Sequence, residues 1–210
     1  MAELQEKLEQ SLKDLRENSK ERKFNQTVDL IVNLQKFSVK KDSFNAFITL
    51  PYKIKDKRIA AFLEVKNKNV DTITPEEFKK YSDKKEIKKL TKKYEFFMSQ
   101  ANLMPKVAST FGRYLGPKGK MPSPQLGIVN NPDEKTINET IQKINTSIKI
   151  RPKEASIKVS IGKQDMEDKK IIENTMAVYN TLLKHLSKGK DNIKNIELKF
   201  TMSKPQKIKI

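Results

Sequence analysis

The stretch Lys23-Phe24-Asn25-Gln26-Thr27-Val28-Asp29-Leu30-Ile31-Val32-Asn33-Leu34 decides how the rest of the chain is read. Val28, Leu30, Val32 and Leu34 share one parity, while Asn25, Thr27, Asp29 and Asn33 share the other. A period of two marks a strand with one buried and one wet face. The same style returns near the far end of the chain. There Ile157, Val159 and Ile161 alternate with Ser156, Lys158 and Ser160 before Gly162-Lys163. Further on, Ile196, Leu198, Phe200 and Met202 alternate with Glu197, Lys199 and Thr201. Nearer the start, Phe44, Ala46, Ile48 and Leu50 alternate with Asn45, Phe47 and Thr49 until Pro51 ends the run.

The middle of the chain reads differently. Arg58 to Val65 is almost continuously apolar, as expected of a strand covered on both faces. A short strand at 70–73 precedes Thr74-Pro75-Glu76-Glu77, a helix start whose Lys-rich body runs to about Lys93. Tyr94 to Met98 reads as a buried strand and Asn102 to Leu115 as a helix. A helix from Asn131 to Thr146 and a short strand at 148–150 close the segment. Strands alternating with helices imply a small parallel α/β unit.

At the two ends, Leu4, Leu8, Leu12 and Leu15 stripe one N-terminal helix. Ile171, Thr175, Val178, Leu182 and Leu186 stripe another, which Asp165 can cap and Gly189 can end. A short basic strand over 205–210 closes the chain. The expected organisation is therefore an α+β terminal domain built from residues 1–54 and 152–210. In it, four main strands form an antiparallel sheet with two helices on one face. Residues 55–151 form an inserted βαβ-type domain on two adjacent linkers, a joint that permits hinge motion.

Charge narrows the partner. The 210 residues carry 44 Lys plus Arg against 26 Asp plus Glu, a net +18, with a pI near 9.8 and a mean hydropathy of -0.72. Such an excess suits a polyanion, because neutralising phosphates releases counterions. A merely Lys-rich solubilising surface is the alternative. The absence of cysteine excludes disulfides and thiolate metal sites, and fits a reducing cytosol. No run nears the roughly 20 apolar residues that span a bilayer, and no signal-peptide core is present. No membrane partner is expected.

Catalysis finds little support. His185 is the only histidine, so a nucleophile–histidine pair or a histidine metal site would rest on it alone. Gly116-Pro117-Lys118-Gly119-Lys120-Met121-Pro122-Ser123-Pro124 is a rigid basic loop but not a phosphate-binding P-loop, because Met121 follows the lysine where Ser or Thr is needed. It is either a structural turn or a contact for an RNA backbone. The wet strand faces present Asn25, Thr27, Asp29, Asn45, Thr49, Ser156, Lys158, Ser160, Lys199 and Thr201. Such groups suit phosphates and 2′-hydroxyls, although an ordinary solvated sheet reads the same way.

Three motifs together carry a resemblance: Lys23-Phe24-Asn25-Gln26-Thr27-Val28-Asp29, Gly112-Arg113-Tyr114-Leu115 running into the 116–124 loop, and Thr201-Met202-Ser203. With Leu50-Pro51 and Ile161-Gly162-Lys163 in the same order, essentially the whole chain resembles the large-subunit ribosomal protein L-one (uL-one) family, archaeal and eukaryotic branch. The resemblance implies a Rossmann-like, three-layer α/β insertion and no cofactor, metal or enzymatic activity. It implies a structural constituent of the large subunit that is cytoplasmic, ribosome-associated and a monomer when free. The terminal domain would bind large-subunit rRNA at the side stalk, beside other ribosomal components. That stalk is linked to release of exit-site tRNA, and the protein would also repress its own mRNA through the leader. A biogenesis or mRNA-regulatory factor with the same domain is the alternative.

By motif position the resemblance assigns RNA contact to Lys23, Phe24 and Thr27 on the first strand and to Thr201 and Met202 in the C-terminal loop, with Gly162 and Lys163 in a matching segment; Asp29, Lys158 and Ser160 of the wet strand faces and Ser203 beside the loop complete the expected RNA-binding set. Arg113, Lys118 and Lys120 are candidates for tRNA or RNA backbone in the insertion. Ser203-Lys204-Pro205 departs from the family's usual Gly-Pro, and Asn45 stands where a basic residue is usual.

Overall fold

The computed structural model describes residues 2–20 and 22–208. The chain divides into two compact units, 1–54 with 146–210 and 55–145.

In the first unit, β1 (Thr27–Leu34) lies at the centre of a sheet ordered β10-β9-β1-β8, with β8 (Ser156–Lys163), β9 (Ile193–Phe200) and β10 (Gln206–Ile208). All three pairings are antiparallel. The alternation in β1 holds residue by residue: Val28, Leu30, Val32 and Leu34 are buried and the residues between them half-buried. The buried face packs on α1 (Ala2–Asn18), through Leu8, Leu12 and Leu15, and on α5 (Asp168–His185), through Ile171, Val178 and Leu182. Fully removing such a side chain from water stabilises by about 1.5–3 kcal/mol. The stripe rather than helix propensity therefore holds α1 in place.

Three expectations change here. The second alternating run is not a strand of this sheet. Its β2 (Ala46–Thr49) pairs with β7 (Ser147–Ile150) in a separate two-stranded sheet, so Asn45 and Thr49 leave the supposed common face. Alternation reports a buried face but not the partner strand. For the same reason, the strand expected as the last element of the insertion pairs back into the first unit. Asp165 is not the cap of α5, which starts at Asp168 with Glu167 before it. The final strand was expected to run to Ile210, and its last two residues lie outside the described residues.

The second unit holds a parallel sheet ordered β4-β3-β5-β6, formed by β3 (Ile59–Phe62), β4 (Asp71–Ile73), β5 (Phe96–Gln100) and β6 (Ile128–Val129). Every residue of β3 is buried, as its unbroken apolar run requires. One face of the sheet carries Phe62 and Phe97 against Phe78, against Ile87 and Leu90 of α2 (Lys84–Lys93), and against Val107 and Phe111 of α3 (Met104–Leu115). Ala61 and Met98 point the other way and are equally buried, as are Ile137 and Ile144 of α4 (Glu134–Thr146). The helix expected over 75–93 is two: a 3-10 turn, Pro75–Ser82, and then α2, whose N-terminus is capped where the Asp83 side chain accepts from Lys85 N at 3.1 Å.

Candidate nucleic-acid interface

The end of the antiparallel sheet where β1 begins is assembled from three distant stretches of chain. Residues 22–25 are exposed, and then Gln26 turns inward to 1% exposure. Its side-chain Oε1 accepts from Met202 N at 3.1 Å, and its carbonyl accepts from Gln164 N at 2.8 Å. One buried residue, through its side-chain amide and its backbone carbonyl, thus ties the start of β1 to the turns after β9 and β8. Thr201 Oγ1 accepts from Thr27 N at 3.0 Å and lies 3.4 Å from Thr27 O, to which it can donate. Arg16, at the end of α1, braces the turn after β8: its guanidinium donates to Gln164 O, Met166 O and the Asp168 carboxylate at 2.7–2.9 Å.

A bulge sets which β8 side chains face outward. Val28 pairs with Gly162 but Asp29 pairs with Ser160, so Ile161 is the extra residue. Ile161 and Gly162 are consequently both buried, and Lys163 comes opposite Thr27. A Cβ on Gly162 would sit 3.0 Å from Ile171 Cγ1 and 3.5 Å from Met166 Sδ. The glycine is therefore placed for close strand–helix packing.

On the open face, the first row is Lys163, Thr27 and Thr201, and the next is Ser160, Asp29 and Lys199. Burial pushes the Asp29 carboxyl above its ordinary value, and Lys199 works against that shift. Lys158 lies one row further in, opposite Ile31, and is ion-paired to Glu154 at 2.7 Å. Large exposed apolar side chains among the described residues are few: Phe24 at 50% and Met202 at 59% belong to this end, and Val65 at 75% to the other unit. Each of the first two lines a cleft. Phe24 shares one of about 900 Å³ with Arg16, Arg22 and Lys23, and Met202 one of about 480 Å³ with Lys20, Arg22 and Lys204. Apolar surface held in water beside cations suits the face of an unstacked base and its phosphate.

The turn itself runs Thr201-Met202-Ser203, where sequence alternation carries the strand on to Met202; β9 stops at Phe200. Ser203 Oγ accepts from Phe200 N at 2.8 Å, and Ser203 N donates to Phe200 O at 3.1 Å. Among the described non-glycine residues only Lys36 has a positive φ, so Ser203 closes this turn without the left-handed backbone that would demand glycine.

The structure thus brings together Lys23, Phe24, Thr27, Asp29, Ser160, Lys163, Thr201 and Met202, sets Lys158 further along the face, and turns Gly162 and Ser203 towards their own scaffold. Arg113, Lys118 and Lys120 lie in the other unit. Arg113 is exposed in the last turn of α3. Lys118 Nζ donates to Thr91 Oγ1 at 2.8 Å, and Lys120 Nζ donates to the Thr91 and Tyr94 carbonyls, both at 2.7 Å. Gln26 and Arg16 were not among the expected site residues. A glutamine at a buried parity position of an otherwise apolar strand was the available signal.

Among the described residues no cluster of three or more His, Asp or Glu is placed to hold a metal ion, and no helix is long and apolar enough to cross a membrane. His185 stacks on Phe44 with ring centroids 5.3 Å apart.

The profile of the Ribosomal protein L1p/L10e family matches residues 15–204. This chain belongs to that family. Large ribosomal subunit protein uL1 of Thermococcus kodakarensis is 32% identical, over 97% of each chain. The uL1 proteins of Nanoarchaeum equitans and Methanothermobacter thermautotrophicus are 36% and 34% identical, over 87% and 95% of this chain and 91% and 97% of their own. Members of the L1p/L10e family are structural ribosomal proteins rather than enzymes. The matched residues begin at the end of α1 and finish just after the Thr201–Ser203 turn, so they take in the whole of the sheet end described above.

Proposed function

We propose that the chain is a structural constituent of the large ribosomal subunit that binds large-subunit rRNA at the side stalk. The observation that carries this reading is the convergence of Phe24, Thr27, Lys163, Thr201 and Met202 at one sheet end, within a chain of the L1p/L10e family. Cations neutralise phosphates, hydroxyls meet sugar and backbone, and the two exposed apolar side chains meet base faces. In this reading the first unit is the rRNA-binding domain and the second a Rossmann-like insertion. The stalk then couples the protein to release of exit-site tRNA, and a stalk-like leader in its own mRNA allows autorepression.

Substitution separates recognition from plain charge. Thr201→Ala and Phe24→Ala each weaken stalk-RNA binding by about 1–3 kcal/mol. Lys118→Ala, whose amine is held by Thr91, leaves binding near the parent value. Gel-shift titration reads all three, and equal losses contradict the assignment.

A further inference from the structure

The exposed lysines of the second unit are most concentrated on α2, six within ten residues, and not in the 116–124 loop. The loop amines of Lys118 and Lys120 are hydrogen-bonded at the C-terminal end of α2. The helix itself reads Lys-Lys-Glu-Ile-Lys-Lys-Leu-Thr-Lys-Lys, six lysines against one acid, Glu86. Ile87, Leu90 and Thr91 face the core, and all six lysines are exposed. They form two rows, Lys84-Lys88-Lys92 and Lys85-Lys89-Lys93, with about 6 Å of axial rise between successive members. Lys89 pairs with Glu86 at 2.7 Å, and Lys93 lies 3.7 Å from Asp71 and over the Tyr94 ring. Lys84, Lys85, Lys88 and Lys92 make no ion pair among the described residues.

Folding alone gives no reason for this pattern. Like charges at i,i+4 destabilise a helix, and α2 carries four such pairs. Both of its large apolar residues are buried, so the exposed half offers no apolar core for a protein partner. A line of phosphates needs none: it needs cations at regular spacing on a straight support. We infer that the outer face of α2 is a second RNA-contact surface that docks on the phosphate backbone of double-helical RNA without reading sequence. A-form RNA presents that backbone while its deep, narrow groove excludes side chains. The inference rests on reading the chain as an rRNA-binding protein, and it adds a second anchor remote in sequence from the sheet end.

The test uses the full chain and a random-sequence RNA duplex, with affinity measured by fluorescence anisotropy across a potassium chloride series. Each neutralised phosphate contributes about 0.9 to the slope of log affinity against log salt. Replacing Lys84, Lys88 and Lys92 together by Gln should lower that slope by roughly two to three and affinity at low salt by about tenfold or more. The same change at Lys40, Lys41 and Lys190, exposed lysines of the first unit, should leave the slope nearly unchanged. Equal losses from the two triple variants, or none from the α2 set, overturn the inference. So does competition by polyglutamate as strong as by RNA, which assigns the face to an acidic polymer.

Lys88→Glu distinguishes contact from helix integrity. It replaces the two repulsive pairs, with Lys84 and with Lys92, by opposite-charge pairs, the one with Lys92 in the better orientation, so melting temperature should rise while duplex binding falls. Weaker binding with a lower melting temperature would trace the loss to a damaged helix and overturn the proposal. Preference for stalk RNA over the random duplex, read in the same titrations, belongs to the sheet end. Thr201→Ala should remove that preference and keep the duplex slope; the α2 variant should do the reverse. A parent chain with no preference would therefore sink the stalk reading and leave the slope test standing.

Discussion

Asp29 is an acid in the centre of a face otherwise suited to phosphates. Its carboxyl is raised by burial, and Lys199 across the strand pair only partly offsets that. The folded protein therefore holds this proton more tightly than the unfolded chain does. The group's contribution to stability is complete below its ordinary value of 3.8 and is lost as pH rises through the higher folded value. Asp29→Asn removes the ionisable group while keeping the shape. Its melting temperature should exceed the parent's at neutral pH, and the gap should close as pH falls below 3.8. A gap independent of pH would show that burial of the charge is not the cause. Gln26 belongs to the same scale. Its hydrogen bonds reach Met202 and Gln164, so the turn after β9 is fixed from inside while Met202 stays in water.

Among the elements, the half-buried strands were legible because burial on one face imposes a period of two. β1, β8 and β9 follow from Val28-Leu30-Val32, Ile157-Val159-Ile161 and Ile196-Leu198-Phe200. What parity leaves out is pairing and insertion. It did not show that β2 joins β7, nor that Ile161 is extra and so exchanges Gly162 for Lys163 on the open side. Two-residue β6 is too short to have a period. The basic loop after α3 was open to two readings, and geometry gives it a structural part. Two orphan carbonyls near the end of α2 receive the Lys120 ammonium, and Lys118 secures Thr91. Lys120→Met keeps the apolar stem and removes both bonds, so it should cost on the order of 1–3 kcal/mol in denaturant unfolding. Stability equal to the parent's would mean that water replaces the amine without loss.

Over the whole molecule, the net charge of +18 is a poor guide to where RNA binds. Lys57 donates to the Ile144 carbonyl near the end of α4, Lys120 to the end of α2, and Arg16 to the turn after β8. These cations hold the protein together. The remaining excess is what any polyanion would meet, and in the proposed reading specificity comes from the sheet end, where hydroxyls, one carboxylate and two exposed apolar side chains converge. Charge contacts weaken with salt for every RNA, whereas shape-dependent contacts persist in the ratio of affinities. The most direct measurement is therefore the affinity of the unaltered protein for stalk RNA and for random RNA of the same length across a salt series. Both affinities should fall as salt rises while the preference for stalk RNA persists. A preference that disappears as the charges are screened would contradict the account.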